Sequence, residues 1–275
     1  DVASQLYTNS PKNGKRCQAL GGAKNHALVL SDAKISQAID QLISAAFGSS
    51  GQRCMALSVV MVEKKIKQPF MDNLITKVKS LKVGFQKLES NSYGPLVSDD
   101  HLNNVQNYIK LAEEEGSKII LDGREINDRR NNDKKGYFLG PTLIDSVKPN
   151  MKSYLNEIFG PVLQIIEIDD VEEGIQIINE NSFGNGCCIF TENGNNAREF
   201  SEKVDIGMVG VNIPLPVPSS FHSFGGWKNS LFGDLNIYGP DGLRFYTRRK
   251  TITQRWFGSN DVSEINLSMP SNQKN

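Results

Sequence analysis

Two spacings of apolar residues alternate along the chain, and together they predict an α/β fold. Apolar positions in 35–46 recur with the 3.6-residue period of a helix that buries one face. The runs 57–62 and 162–168 are short and rich in valine, isoleucine or methionine, which is typical of buried strands. Because such strands and helices alternate, we expect a layered, mostly parallel sheet with flanking helices.

The same patterns place the other elements and leave two irregular stretches. The further predicted strands are 27–30, 118–121, 143–144, 187–190 and 208–211, and the further helices are 69–78, 99–115, 171–179 and 195–203, after a helix start within 1–16. Ser31 and Asp32 are placed to cap the helix that begins near Ile35. The charged, Asn-rich stretch 122–134 predicts a surface loop. The stretch 213–246 predicts mostly loop, because it is rich in proline, glycine and aromatic residues.

Composition and charge narrow the class of protein. Apolar residues make up 38% of the chain and charged residues 23%, which is ordinary for a globular protein. The formal net charge is zero, whereas a nucleic-acid surface needs a basic excess to neutralise phosphates. No apolar run approaches the roughly 20 residues that cross a bilayer, and the start of the chain lacks a signal-peptide pattern. We therefore expect no nucleic-acid partner and no membrane partner.

The four cysteines do not have the spacing of a metal site. Cys17, Cys54, Cys187 and Cys188 form no CxxC pair, and the chain has only 3 histidines. We therefore expect no structural zinc. Cys187 and Cys188 are adjacent in an apolar run, which is typical of buried cysteines in a reducing compartment.

Cys54 stands in a different setting. It follows a Ser/Gly loop and precedes a predicted strand, so rigid backbone would hold it at the edge of a cleft. Arg53 is its neighbour, and a nearby cation favours the thiolate, which is the nucleophilic form. Backbone N–H groups of such a loop also suit an oxyanion. From the local sequence alone, a nucleophile and a structural core cysteine remain equal alternatives.

Several segments together resemble one enzyme family. They are 20–26 (LGGAKNH), 51–58 (GQRCMALS), 157–161 (EIFGP), 210–212 (GVN), 224–226 (FGG) and the stretch from Tyr246-Thr247 to Lys250-Thr251. In this order, and over nearly the whole chain, they resemble the aldehyde dehydrogenase superfamily. The arginine before Cys54 and the MALS after it are similar to the CoA-acylating methylmalonate-semialdehyde dehydrogenases.

The resemblance implies an NAD-dependent oxidoreductase that forms a thioester. Cys54 would attack the aldehyde carbonyl, a hydride would leave to NAD, and a thioester would remain on the sulfur. Coenzyme A would then take the acyl group with loss of carbon dioxide, giving propanoyl-CoA from methylmalonate semialdehyde or acetyl-CoA from malonate semialdehyde. Hydrolytic relatives carry a glutamate where this chain has Ala19, and the lack of that base fits transfer to a thiol.

The resemblance also implies roles for four residues besides Cys54. Arg53 would hold the substrate carboxylate by two hydrogen bonds, the alternative being a structural salt bridge or helix-end cap. Glu157 would bind the nicotinamide ribose hydroxyls, and Phe159 would pack near the nicotinamide ring. The alternative for Glu157 is a solvated loop carboxylate. Gly21 would contact the cofactor through its backbone, the alternative being a turn glycine.

The resemblance covers only the C-terminal half of the family's chain. It divides the sequence into 1–19, a remnant of the cofactor-binding domain; 20–212, the catalytic domain; 213–257, a C-terminal loop and oligomerisation strand; and 258–275, a polar tail. Most of the cofactor domain would precede residue 1, no GxGxxG follows a strand, and the chain opens with Asp1 rather than Met. We therefore expect a fragment or processed product that, alone, binds NAD weakly or not at all and does not turn over.

Two further expectations rest on the family alone. Its members are dimers or tetramers, and the predicted strand 247–256 would add to a sheet edge of a second copy. This leaves a second hypothesis open, namely a non-catalytic remnant or interaction protein that keeps the oligomer surfaces. The implied location is the mitochondrial matrix, and otherwise the cytoplasm.

Overall fold

A seven-stranded sheet with helices on both faces forms the body of the chain. The computed structural model describes residues 2–85, 90–126 and 136–254, together with Trp256 and Leu267. The strands are β1 (Ala19–Leu20), β2 (Asn25–Val29), β3 (Leu57–Glu63), β4 (Lys118–Leu121), β5 (Thr142–Asp145), β6 (Val162–Ile168), β7 (Phe183–Gly184), β8 (Gly186–Phe190), β9 (Met208–Val211), β10 (Trp227–Lys228) and β11 (Leu231–Phe232). The helices are α1 (Val2–Lys12), α2 (Ile35–Phe47), α3 (Lys67–Lys79), α4 (Asp99–Glu114), α5 (Lys152–Leu155), α6 (Val171–Glu180), α7 (Gly194–Lys203) and α8 (Pro240–Tyr246).

The sheet has the order β4-β5-β6-β3-β2-β8-β9, and all its pairs are parallel except β4 with β5. The predicted α/β class and mostly parallel pairing are therefore confirmed. The antiparallel pair was not predicted. β4 is an edge strand whose neighbour in this sheet is β5, so strands on two sides do not fix its direction.

Apolar residues on the central strands divide between the two faces of the sheet. Val59 and Met61 join the core that contains residues of α4, α6 and α7. Val60 and Val62 join the opposite core, formed with α2 and α3. Because successive side chains of a strand point to opposite faces, a strand covered on both sides reads as a continuous apolar run. This explains why the sequence located β3 so closely.

The predicted helix cap is wrong. Helix α2 begins at Ile35 after Lys34, and no side chain caps its first turn. The carboxylate of Asp32 instead accepts hydrogen bonds from the Thr191 hydroxyl and the Glu192 backbone N–H. Asp32 therefore ties the end of β2 to the segment after β8, a long-range contact that outweighs a local cap.

The irregular stretches follow the prediction in part. Residues 213–246 are mostly loop, with β10, β11 and α8 as short exceptions. The predicted strand 247–256 is absent over 247–254, the part of it that the structure describes continuously, and these residues are exposed. A strand needs a partner, and residues 247–254 have none among the strand pairings of the described residues. Most of the predicted surface loop 122–134, and the tail after residue 257 except Leu267, lie outside the described residues.

Two features are absent from the part of the chain that the structure describes. None of its helices is both long and apolar enough to cross a membrane. No three of its histidine, cysteine, aspartate and glutamate side chains are grouped as a metal ion requires.

Candidate active site

The loop that carries Cys54 has an unusual backbone. Helix α2 ends at Phe47, and a single 3₁₀ turn, Gly48–Gly51, leads into the loop. Ser49 and Ser50 have φ values of 54° and 58°, and Gly51 has a φ of 68°. Left-handed conformations are strained for residues with a β-carbon and concentrate at functional sites. The Ser50 hydroxyl, which donates to the Gly94 carbonyl at 2.7 Å, helps to hold this backbone.

Cys54 differs from two of the other cysteines in exposure. It is exposed at the start of the segment before β3, whereas Cys187 and Cys188 are buried in β8, as predicted. Burial raises the pKa of both Cys187 and Cys188 well above the ordinary thiol value. These two thiols therefore stay protonated and inaccessible. Cys17 is intermediate in exposure.

Arg53 folds back over its own loop. Its Nε donates to the Ser49 hydroxyl at 3.1 Å, and its guanidinium lies over Gly48, where a β-carbon would be 2.8 Å from Nη1. The side chain remains exposed and lines the same cleft as Cys54. The bond to Ser49 agrees with the loop-capping alternative, and the exposed guanidinium agrees with carboxylate binding. The two roles can coexist, because the bond to Ser49 uses Nε and the Nη groups form no hydrogen bond within the part of the chain that the structure describes.

The segment before β6 forms the other side of the cleft. Oε1 of Glu157 accepts a hydrogen bond from the backbone N–H of Ala23 at 2.9 Å. Burial raises the pKa of Glu157, while the Ala23 hydrogen bond and the charge of Lys24 act in the opposite direction. Phe159 has a φ of 60° and is 38% exposed, and its carbonyl oxygen lies 2.8 Å from Nε2 of His101. An aromatic residue held in this strained conformation at a cleft is typical of a binding site.

The structure brings four of the five predicted site residues together. One cleft is lined by Arg53, Cys54, Glu157 and Phe159, with Asn25 among its other walls. Gly21 is not part of that lining. Its N–H donates to Ser230 at 2.9 Å, and a β-carbon there would overlap the carbonyl oxygen of Asn229, so glycine is required for close backbone packing.

The three residues from Ala23 to Asn25 connect the two sides of this cleft, and the sequence patterns gave them no role. Lys24 is buried and donates to the carbonyl oxygens of Ser153 at 3.2 Å and Asn156 at 2.8 Å, just before Glu157. Burial lowers the pKa of Lys24 to about 7, and Glu157 opposes that shift. On the other side of the cleft, Nδ2 of Asn25 donates hydrogen bonds to the carbonyl oxygens of Cys54 at 3.0 Å and Ala56 at 2.9 Å.

His26 is part of the core below the cleft. It is fully buried, and its Nε2 lies 2.9 Å from the hydroxyl of Tyr154. Burial, with the charge of Lys24 as a smaller contribution, lowers the pKa of His26 to about 3. A neutral imidazole at this depth supports the packing of β2, and it does not reach the cleft lining.

Comparison with known proteins identifies the class. The sequence profile described as "Aldehyde dehydrogenase family" matches residues 1–252. The chain therefore belongs to the aldehyde dehydrogenase family, as the motifs indicated.

Within that family, two curated relatives of high identity share one enzyme name. The chain is 48% identical over 258 residues to a malonate-semialdehyde dehydrogenase of Pseudomonas aeruginosa, covering 93% of this chain and 51% of the relative. It is 43% identical over 255 residues to a malonate-semialdehyde dehydrogenase of Halalkalibacterium halodurans, covering 93% and 52%. The chain spans about half the length of the curated relatives it matches.

Solved structures agree with the sequence relatives. A methylmalonate-semialdehyde dehydrogenase from Oceanimonas doudoroffii superposes with a TM-score of 0.90 at 49% identity, covering 94% of this chain and 53% of that one. A Sinorhizobium meliloti protein described by the same enzyme name, complexed with NAD, gives a TM-score of 0.89 at 41% identity, covering 94% and 52%. These relatives are bacterial, so they do not support the expected mitochondrial location.

Proposed function

We propose that this chain supplies the nucleophile side of an NAD-dependent, CoA-acylating oxidation of malonate or methylmalonate semialdehyde. The observation that carries the proposal is one cleft whose lining includes Cys54, Glu157, Arg53 and Phe159 together. The names of the close relatives support the substrate class. The chain spans half of those relatives, so the complete reaction is proposed for a protein that also holds the remaining cofactor contacts.

Cys54 performs the covalent step. Its thiolate sulfur attacks the aldehyde carbon, and the carbonyl oxygen becomes an oxyanion within the thiohemiacetal. Loss of a hydride from that carbon restores the carbonyl and leaves a thioester on Cys54. The exposed position of the sulfur and the strained loop behind it support this role, because a nucleophile must be both accessible and fixed.

Arg53 recognises the free carboxylate that both semialdehydes carry. A guanidinium can hold a carboxylate through two parallel hydrogen bonds, which also fixes its orientation. With Nε bonded to Ser49, the two Nη groups are the donors left for the substrate.

Glu157 and Phe159 would hold the nicotinamide end of NAD, which would supply the hydride acceptor. A half-buried carboxylate acceptor next to an exposed aromatic ring fits a ribose and a nicotinamide. Gly22 leaves room for this acceptor, since a β-carbon there would be 3.0 Å from Oε2 of Glu157. Gly21 contributes through backbone packing around this segment, and its direct contact to NAD remains a prediction.

Coenzyme A then resolves the thioester. Its thiol sulfur attacks the acyl carbon and loses its proton, and Cys54 leaves as the thiolate. The bond from the α-carbon to the carboxylate breaks with release of carbon dioxide, and the α-carbon takes up one proton in its place. Ala19, at the position of the hydrolytic glutamate, is buried in β1 and has no base to activate water. A thiol nucleophile needs less activation than water, so acyl transfer to coenzyme A is favoured.

The covalent half of this scheme can be tested without NAD. The chain is treated with 4-nitrophenyl propanoate, the release of 4-nitrophenolate is followed, and the acylated residue is identified by mass spectrometry. Coenzyme A is then added and propanoyl-CoA is measured. We expect a burst of one acyl group per chain on Cys54, followed by transfer to coenzyme A.

Matched cysteine variants give the controls. Cys54→Ser should lose both the burst and the propanoyl-CoA, whereas Cys17→Ser, at a cysteine of intermediate exposure, should keep both. Acylation that survives in Cys54→Ser would refute the proposed nucleophile. In a separate assay with NAD, coenzyme A and malonate semialdehyde, we expect no NADH from this chain alone, and turnover that is lost in Cys54→Ala would contradict that expectation.

One observation favours a second candidate, an interaction protein that assembles through its C-terminal segment. Phe221, Tyr246 and Trp256 are 80%, 83% and 87% exposed in the single chain. Light scattering after size exclusion tests this: we expect an oligomer that Trp256→Asp weakens and Val97→Asp, at another exposed apolar residue, leaves intact. A monomeric parent chain would exclude this candidate.

A further inference from the structure

The carbonyl oxygen of Cys54 accepts two side-chain hydrogen bonds. Nδ2 of Asn25 donates to it at 3.0 Å, and Nδ2 of Asn185 donates to it at 2.8 Å. Both asparagines are buried, with exposures of 2% and 7%. A backbone carbonyl in a loop is ordinarily satisfied by water or by one backbone donor, so two buried amides on one carbonyl form a specific arrangement.

Each donor is itself held in place. The second carbonyl that Asn25 binds is that of Ala56, and Oδ1 of Asn25 accepts from the Gly186 N–H at 3.1 Å. Nδ2 of Asn185 also lies 3.1 Å from Sδ of Met55. The amide of Asn25 therefore connects three segments, and its orientation is fixed by partners on both its oxygen and its nitrogen.

We propose that Asn25 and Asn185 are positioning residues that fix the direction in which Cys54 presents its sulfur. This inference rests on the proposed role of Cys54 as the nucleophile. The two donors lock the peptide plane between Cys54 and Met55. Because the Cα–Cβ bond of Cys54 is attached to that plane, locking the carbonyl inward also restricts where the sulfur points.

The sheet explains why these two residues meet. Asn25 is the first residue of β2, Asn185 directly precedes β8, and Cys54 lies shortly before β3. β2 is parallel to both β3 and β8 and lies between them. Parallel strands begin at the same edge of a sheet, so the residues before them converge there. The two amides thus connect the Cys54 carbonyl to the starts of β2 and β8, so the rigid sheet holds the backbone of the nucleophile.

A fluorine label on Cys54 reports which conformations its side chain adopts, because each conformation gives its own ¹⁹F signal. In a Cys17→Ser background, Cys54 is the exposed thiol among the three that remain, and it is alkylated with bromotrifluoroacetone. The ¹⁹F spectrum is recorded for the parent, Asn185→Ala, Asn25→Ala and the double variant, each well below its melting temperature. Asn179→Ala is the matched control, because Asn179 also bridges two backbone groups, the Lys203 carbonyl and the Asp205 N–H, but not those of the Cys54 loop.

The expected result is one dominant signal in the parent and a second, displaced signal in the variants. Loss of one hydrogen bond of typical net strength should raise the share of the displaced signal about fivefold in Asn185→Ala. Asn185→Asp keeps the shape of the side chain but removes the donor, so it should resemble Asn185→Ala. In the double variant, the share of the displaced signal should increase by less than the product of the increases in the two single variants, because both residues act on one carbonyl.

Three results would overturn the proposal. They are an unchanged spectrum in Asn185→Ala, the same displaced signal in Asn179→Ala, and a parent-like spectrum in Asn185→Asp, which would show that packing rather than donation matters. Asn25→Ala can fail to fold, but Asn185→Ala alone decides the test. The spectrum is independent of acylation, so a Cys54 that is ordered but does not react with the ester refutes the proposed function and leaves the positioning intact.

Discussion

Gly51 and Gly160 bring the two sides of the cleft into direct backbone contact: a β-carbon on Gly51 would overlap the carbonyl oxygen of Gly160. Gly51 belongs to the Cys54 loop and Gly160 follows Phe159 in the opposite segment. Gly51 also has a φ of 68°, where side chains are strained. Glycine is thus needed at position 51 for two separate reasons, its backbone conformation and the approach of Gly160.

Gly51→Ala should therefore destabilise the chain and open the cleft. The left-handed conformation alone costs about 1 kcal/mol for alanine, and the overlap with Gly160 adds to it. Gly14→Ala separates the two effects, because Gly14 has a φ of 64° and a β-carbon there would have no other atom within 4 Å. Denaturant unfolding should show a clearly larger loss for Gly51→Ala than for Gly14→Ala. Equal losses would mean that the contact with Gly160 has no energetic weight.

The sequence was most informative where a local pattern and a tertiary environment agree. β3 and β8 are covered on both faces, and their unbroken apolar runs identified them. The amphipathic α2 was equally clear, because one of its faces is buried and the other exposed. The site residues Arg53, Cys54 and Glu157 came instead from motif resemblance, since no periodicity marks a cleft.

The features that were missed depend on contacts between distant segments. Asp32 bonds Thr191 and Glu192, a partner choice that no local cap rule contains. Asn185 lies 131 residues from the carbonyl it binds. One signal was nevertheless available: Asn25, Cys54 and Asn185 each stand at or just before a predicted parallel strand, and such positions converge at one edge of the sheet. Applied systematically, that rule would have singled out both asparagines.

Arg53 offers a test of substrate recognition that needs no cofactor. The chain is acylated with two esters of similar size, neutral 4-nitrophenyl propanoate and the carboxylate-bearing mono-4-nitrophenyl malonate. Arg53→Gln should slow acylation by the anionic ester about tenfold, the effect of one lost hydrogen bond to a charged group, and change the neutral ester little. Arg53→Lys should fall between, because an ammonium group cannot form the bidentate pair. Equal slowing of both esters would assign Arg53 to holding the loop through Ser49.

The ionised form of Glu157 should lower the stability of the folded chain, although the proposed function uses this carboxylate to bind NAD. Burial raises the pKa of its carboxyl group in the folded chain, so the ionised form is less favourable there than in the unfolded chain. At pH values above the folded pKa, Glu157→Gln should therefore be at least as stable as the parent. This difference in stability should vanish as the pH falls below the pKa of Glu157 in the unfolded chain, because the carboxyl group is then protonated in both the folded and the unfolded state. Urea unfolding of both proteins between pH 4 and 8 checks this, and a variant less stable at pH 8 would contradict it.

Because of Lys24, the stability of the folded chain should increase as the pH rises from about 7 to 10.5. Burial lowers its pKa from 10.5 to about 7 in the folded chain, so between these values the unfolded chain binds more protons than the folded chain. The stability that Lys24 contributes should therefore be fully present above pH 10.5 and be lost progressively as the pH falls toward 7.

Lys24→Met keeps the length of the side chain and removes the titrating group. The free energy of unfolding of the parent, minus that of Lys24→Met, should increase as the pH rises from about 7 to 10.5. Lys77→Met is the matched control, because Lys77 is a surface lysine paired with Asp40. Guanidinium unfolding at a series of pH values measures the difference. A parent-to-variant difference that stays constant across this range would mean that Lys24 is not held by the carbonyls of Ser153 and Asn156 in a dry environment.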